Sequence, residues 1–223
     1  TPLWSAVPEA MQKALELHDG ILRSLLDHHG GYEFSAEGDA LKVAFSSTKD
    51  ALSWCMDVQL ALFEADWSTD LLSRPEAAST DHFHGLRVRM GIHIGEPVCR
   101  VNPVTQRMDY FGPVVNLAAR VANAPHGGQV VLTQAAADRV ESELGTLSCT
   151  TLGAHHLKGV AHPVELIQTL PPSLAARSFP ALRTLEARRT NLVPRTSSFV
   201  GRKLELTMLK SRLQGIELRT VAD

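Results

Sequence analysis

The sequence predicts an α+β domain of ferredoxin-like type, a mixed and mainly antiparallel sheet with flanking helices. Three observations carry that prediction. Long stretches near the N-terminus repeat their apolar residues with the period of a helix, short extended runs come in pairs joined by turn residues, and the two patterns interleave along the chain. The order is helix, hairpin, helix, strand, hairpin, helix, strand, helix, strands, which mixes locally paired strands with strands joined across a helix.

Each element has its own signal. Pro8 to His29 places Met11, Leu15, Ile21, Leu22, Leu25 and Leu26 on one stripe and its charges mainly elsewhere, so it predicts an amphipathic helix, ended by Gly30-Gly31. Tyr32 to Ala36 and Leu41 to Phe45 form a hairpin through Glu37-Gly38-Asp39, with a rigidly aimed carboxylate at its tip. Ser46-Ser47-Thr48 supplies caps for a helix over Lys49 to Asp66, whose stripe of Leu52, Cys55, Met56, Leu62 and Phe63 has Gln59 as its one polar break. Trp67 to Phe83 has no periodicity and reads as a surface loop. Leu86 to Ile94 alternates apolar with polar residues, the pattern of a strand with one buried face.

Gly95 to Arg107 contains Pro97, Asn102 and Pro103 and predicts an excursion or hairpin before the strand that carries Asp109. Gly112-Pro113 turns that strand into a helix, Gly127-Gly128 returns the chain to a strand over Gln129 to Leu132, and Thr133 caps a helix to about Leu144. Cys149 to Leu152, His155 to Leu157 and Val164 to Leu170 complete the short strands. The domain is therefore set at residues 1–170. Residues 171–198, with Pro171-Pro172-Ser173 and an Arg-rich piece, read as a linker with a short helix around Leu182 to Arg189.

Composition narrows the function. At 223 residues and 44% hydrophobic, the chain holds one well-filled domain and an extension. Its apolar runs are short and interrupted, and no basic region leads into an apolar core, so neither a membrane helix nor a signal peptide is expected. A net charge of -2 argues against nucleic acid as the main partner. Cys55, Cys99 and Cys149 are widely spaced and form no metal or redox pattern, which suits reduced, partly buried thiols in a cytoplasmic domain. The pairs His28-His29, His155-His156 and His82-x-His84 lack ligand spacing and read as ordinary polar histidines.

The stretch from Arg107 to Val121 concentrates the chemistry. Asn116 and Arg120 are four residues apart and share a helix face. An amide that donates and accepts, beside a fixed fork of charged donors, suits an anionic, oxygen-rich ligand such as a phosphate; a surface helix with a solvated Arg is the other reading of the same spacing.

Three separated motifs, Leu86-Arg87-Val88-Arg89-Met90-Gly91-Ile92-His93-Ile94-Gly95, Arg107-Met108-Asp109-Tyr110-Phe111-Gly112 and Val115-Asn116-Leu117-Ala118-Ala119-Arg120, stand in an order that resembles the catalytic domain of class III adenylyl cyclases, with wording nearest the fungal and trypanosomatid branches. The resemblance runs to about Leu170 and implies a class III nucleotidyl cyclase domain that converts ATP to 3′,5′-cyclic AMP and pyrophosphate. It implies two metal ions per site, Mg²⁺ or Mn²⁺, with Asp39 matching one of two metal-binding aspartates. Asn116 and Arg120 match the pair that orients the ribose and stabilises charge on the reacting phosphate. Lys158 matches the lysine on the terminal phosphates, and Asp109 the residue that accepts from the adenine 6-amino group. It also implies a homodimer with Asp39 on one side of each interface site and Asp109, Asn116, Arg120 and Lys158 on the other. The residues from Ser197 to Leu206 resemble the opening of signalling ATPase domains, so 199–223 is the possible start of such a domain or else an amphipathic tail.

Two departures stand out. The residue four before Asp39 is usually a lysine that helps read adenine, and here it is Ser35. The family's other metal aspartate lies on a first strand just ahead of Thr1-Pro2-Leu3-Trp4. An adenylyl cyclase is the expectation; the alternatives are a weak or silent cyclase-homology module that binds nucleotide or dimerises, and a guanylyl cyclase.

Overall fold

The computed structural model describes residues 2–185, which fall within a compact unit, Thr1–Arg189; a second unit, Thr190–Asp223, lies outside the described residues, as do the ATPase-like stretch and most of the helix read around Leu182 to Arg189.

A short helix, α1 (Pro2–Ala6), precedes α2 (Pro8–His28), where Pro8 occupies a first-turn position that needs no backbone donor. The stripe of α2 is buried through Ala10, Met11, Ala14, Leu22 and Leu26, together with His18, which the apolar periodicity does not single out. Strands β1 (Tyr32–Glu37) and β2 (Ala40–Ala44) pair antiparallel around a two-residue turn in which Gly38 has φ 64°. The turn is one residue shorter than the acidic triplet suggests, because Glu37 already pairs with Ala40. A register shift between Glu33 and Ser35 leaves Phe34 as a bulge.

Helix α3 (Thr48–Glu64) is capped by Ser47, whose Oγ accepts from the amides of Lys49 and Asp50. Trp54 and Val58 join its buried face. Gln59, the polar break, is itself buried and donates to the Val88 carbonyl at 2.9 Å. After α3 comes α4 (Thr69–Leu72). Trp67, Leu71 and Ala77 are buried, so the aperiodic Trp67–Phe83 segment is anchored in the core and is not a free surface loop. Trp67 secures it further by donating from Nε1 to the Leu62 carbonyl at 2.9 Å.

Strand β3 (Met90–Ile92) is shorter than the alternating run Leu86 to Ile94, because only part of that run meets a partner strand. Next, β4 (Val98–Val101) and β5 (Met108–Phe111) form an antiparallel hairpin, and α5 (Pro113–Asn123) crosses to β6 (Val130–Thr133), which runs parallel to β3. Gly112 enters α5 at φ 107°, a backbone angle that favours glycine. The helix expected from Thr133 to Leu144 is two short ones, α6 (Gln134–Ala137) and α7 (Glu141–Leu144), interrupted at Val140, a buried residue with φ -131° and ψ 30°. Thr133 does not cap α6 through its side chain; its hydroxyl meets His93 Nδ1 at 3.0 Å. The two strands expected between Cys149 and Leu157 are one, β7 (Ser148–His155), bent by a register shift between Thr151 and Gly153.

With β8 (Val164–Leu170), the larger sheet has the order β3-β6-β8-β7, parallel only at β3–β6; β1–β2 and β4–β5 are separate ladders. The main core lies between the helices and strands and includes Leu22, Leu52, Val58, Met90 and Leu132, with Leu41 and Val43 of β2 packed against it. A smaller core joins Val121 and Ala124 of α5 to Val131, Leu157, Leu166 and Leu182.

Residues 171–185, read from sequence as the start of a linker, pack back on the domain. Arg177 is buried and donates to the carbonyls of His82 and Gly128 and to Gln59 Oε1 at 2.7 Å, with its guanidinium 5.0 Å from the centre of the Phe83 ring. Burial, and then the nearby charge of Arg87, push the Arg177 guanidinium down to about 10.

Candidate active site

Helix α5 presents Asn116 and Arg120 as exposed residues one turn apart. Its opposite side is fixed: Val121 is fully buried, and Gly91 of β3 lies so close that a side chain there would meet the backbone of Ala122. Among the described residues, neither Asn116 nor Arg120 makes a side-chain hydrogen bond or ion pair. A guanidinium and an amide held on a rigid helix with their donors unused offer an anion two fixed contacts.

Asp109 lies one turn of chain before α5, on β5. It is half-buried, and its Oδ2 accepts from Asn102 Nδ2 at 3.0 Å. The Asn102 amide is oriented by the β4–β5 turn, since its Oδ1 accepts from the amides of Val104 and Thr105. Sequence reasoning took Asn102 only as a turn residue, and its bond to Asp109 becomes visible only with the hairpin register.

The strand that carries Ser35 lies beside the one that carries Asp109. Tyr32 Oη bonds the backbone of Met108, the Phe34 and Tyr110 rings meet edge to face at 5.3 Å, and Arg107 donates to the Glu33 carbonyl, so β1 lies along β5. Lys158 follows β7 in an exposed turn, and Leu157 before it is buried in the core cluster that also holds Val121, the residue after Arg120. One small core thus supports both cations.

Asp39 is exposed in the β1–β2 turn and borders a cavity of about 820 Å³, whose lining includes Val115, Ala118 and Ala119 of α5 but none of Ser35, Asp109, Asn116, Arg120 or Lys158. Two strand edges face this cavity, Ala40–Val43 of the hairpin and the run 86–91 leading into β3, and Pro2 and Leu3 line it as well. Among the described residues, no group of three or more His, Cys, Asp or Glu side chains gathers as a metal site. The paired histidines have other partners, such as Asp57 for His29 at 2.8 Å and Ser79 for His84 at 3.0 Å. Of the thiols, Cys55 is buried and burial pushes its pKa up, whereas Cys99 and Cys149 are exposed and not partly buried as expected. No helix of the described residues is long and apolar enough to cross a membrane.

Known proteins share this architecture and its motifs. The family model described as the adenylate and guanylate cyclase catalytic domain matches residues 1–168. An adenylate cyclase of Mycosarcoma maydis is 44% identical over 162 residues, 69% of this chain, and a receptor-type adenylate cyclase of Trypanosoma brucei brucei is 34% identical over 207 residues, 82% of this chain. The chain spans only 6% and 17% of those two relatives. A solved structure of adenylate cyclases from Trypanosoma brucei in their monomeric state superposes with a TM-score of 0.74 at 32% identity, covering 82% of this chain and 87% of that one. The chain therefore belongs to the adenylate and guanylate cyclase catalytic domain family.

Proposed function

We propose that this domain is an adenylyl cyclase that closes ATP to 3′,5′-cyclic AMP with release of pyrophosphate. The observation that carries the reading is the exposed Asn116–Arg120 face of α5, its donors uncommitted among the described residues, on the helix that the Gly112-Pro113 turn joins to the strand of the half-buried Asp109 carboxylate. In the reaction the ribose 3′-oxygen attacks the α-phosphorus in line and the bond to the pyrophosphate oxygen breaks. Asn116 holds the ribose, and Arg120 donates to the α-phosphate oxygens, where negative charge concentrates in the transition state. Lys158 holds the terminal phosphates as a point charge. Asp109, with Oδ2 already occupied by Asn102, accepts the adenine amino group on its other oxygen, whereas the carbonyl of guanine at that edge would be repelled.

The family as a whole uses divalent metal. Asp39 fits as one ligand for Mg²⁺ or Mn²⁺, since its exposed carboxylate is a hard oxygen donor without a side-chain bond among the described residues. One carboxylate does not make a two-ion site. An extended segment ahead of Pro2 that carries the second aspartate is supported by the two strand edges that face one cavity beside Pro2 and Leu3. Bound metal would lower the proton affinity of the 3′-hydroxyl and offset charge on the leaving group.

The site is proposed to complete itself between two copies of the domain. Asp39 borders a cavity that the side chains of Asn116 and Arg120 do not line, and the β4–β5 hairpin exposes Val98, Val101, Phe111 and, at 88% of its surface, Val104. A cytoplasmic setting and a following ATPase-type domain from 199 remain part of this proposal, whereas the first residues of the expected linker, 171–185, belong to the domain on which they pack. The deciding experiment measures cyclic nucleotide formation from ATP and GTP, with Mg²⁺ or Mn²⁺, by protein extended N-terminally through the preceding strand. Cyclic AMP that disappears in Asp39→Ala supports the enzyme; folded dimers that bind ATP without product support the silent module.

A further inference from the structure

We propose that Lys42 is a specificity-determining residue of this site, its ammonium crossing the β1–β2 ladder to the place above Ser35 and donating to the ring nitrogen beside the adenine amino group. This rests on the proposed reading of Asp109 as the base contact.

The register carries the argument. Ser35 pairs directly with Lys42, and residues opposite one another in an antiparallel ladder point to the same face. Leu41 and Val43 pack against the main core, so Lys42 between them faces away from it, and Ser35 with it. The bulge at Phe34 matters here, because the pairing shifts by one residue on its far side, where Glu33 meets Val43. Lys42 is the one cation in the hairpin sequence. Its Nζ meets Glu37 Oε1, and Glu37 lies two residues beyond Ser35 on the same face, so the lysine stem lies across toward β1. An ammonium has three donors, and one bond to Glu37 leaves the others for a ligand.

That face reaches toward the strand of the base-reading carboxylate. Tyr32 pairs with Ala44, two residues from Lys42, so it shares the face, and its hydroxyl accepts from the amide of Met108, the residue before Asp109. Adenine presents an amino donor next to a ring-nitrogen acceptor, while guanine presents a carbonyl acceptor next to a ring N–H. An acceptor-only carboxylate beside a donor-only ammonium matches the first edge twice and opposes the second twice. A serine hydroxyl does not discriminate, because it can donate or accept. If Lys42 serves only the exposed pair with Glu37, it contributes little to the fold and nothing to nucleotide choice.

The test compares kcat/KM for ATP and GTP, with melting temperature, in the N-terminally extended protein and its Lys42→Met, Ser35→Lys/Lys42→Met and Arg120→Ala variants. Lys42→Met is expected to lower the ATP/GTP ratio about tenfold, the effect of losing one charge-assisted hydrogen bond, with melting unmoved. Ser35→Lys added to it is expected to restore the ratio, since the ammonium then reaches the same place from the opposite strand. Equal losses with both nucleotides, an unchanged ratio, or a double variant that fails to recover overturns the inference while the cyclase reading stands. Absence of cyclic product from the unaltered protein, or turnover indifferent to Arg120→Ala, overturns that reading and the inference with it.

Discussion

Asn116 and Arg120 owe their usefulness to what they do not do for the fold. Both are exposed and, among the described residues, unbonded through their side chains. Arg120→Ala is therefore expected to lower kcat about a hundredfold or more, the usual effect of removing one transition-state donor, and to leave stability within about 0.5 kcal/mol; melting and turnover measured together check it. His93 behaves oppositely. Half-buried against Thr133, its imidazole is held by burial below the ordinary value of 6.5. As pH falls below 6.5 the unfolded chain takes up that proton before the folded one does, so stability is full above this value and declines below it. Melting temperatures from pH 7 to 5 should fall more gently in His93→Gln than in the wild type. At this scale the sequence made residue types and helix spacing legible. It did not disclose Asn102 or Lys42, because a cross-strand partner depends on turn length and bulges, and one residue of slip changes every pairing.

Elements with a strong period were the legible ones: α2 and α3 lie within a residue or two of the boundaries that caps and glycines suggest, and α5 begins at the Gly112-Pro113 turn. The misread elements fail for one reason, which is that tertiary contacts outrank local pattern. Trp67, Leu71 and Ala77 pin an aperiodic segment, buried Val140 divides a helix, and Arg177 with Leu182 draws a Pro- and Arg-rich stretch onto the domain. The packing of α5 on β3 is the tightest constraint near the site. Gly91→Ala is expected to push α5 outward, costing about 1–3 kcal/mol as overpacking does and lowering turnover as Arg120 is displaced. Denaturant titration checks the first effect, and rates on ATP the second.

For the molecule as a whole, the proposed interface makes a prediction that no single chain can satisfy. If Asp39 of one copy serves the Asn116 and Arg120 of another, then Asp39→Ala and Arg120→Ala proteins, each inactive alone, should regain activity on mixing. Random exchange makes half the dimers mixed, each with one undamaged site, so recovery should approach about a quarter of wild-type activity, measured after co-incubation. No recovery despite exchange of subunits would place the site within one chain. The fold class was readable because the order of hairpins and crossovers is written locally. The division into separate ladders was not, since it depends on which strand edges meet.

The crossover through α5 has a bearing on how the chain reaches this structure. β3 and β6 are the parallel pair of the larger sheet, and all of residues 93–129, α5 included, must be gathered before they can meet. Closing so long a loop is slow, and the side of α5 that rests on β3 is the natural place for the folding transition state to form. Val121→Ala should therefore slow refolding more than it speeds unfolding, which stopped-flow chevrons would show as a displaced refolding arm. One helix then answers to two clocks: its inner face to the time the chain needs to assemble, its outer face to the time a nucleotide needs to react.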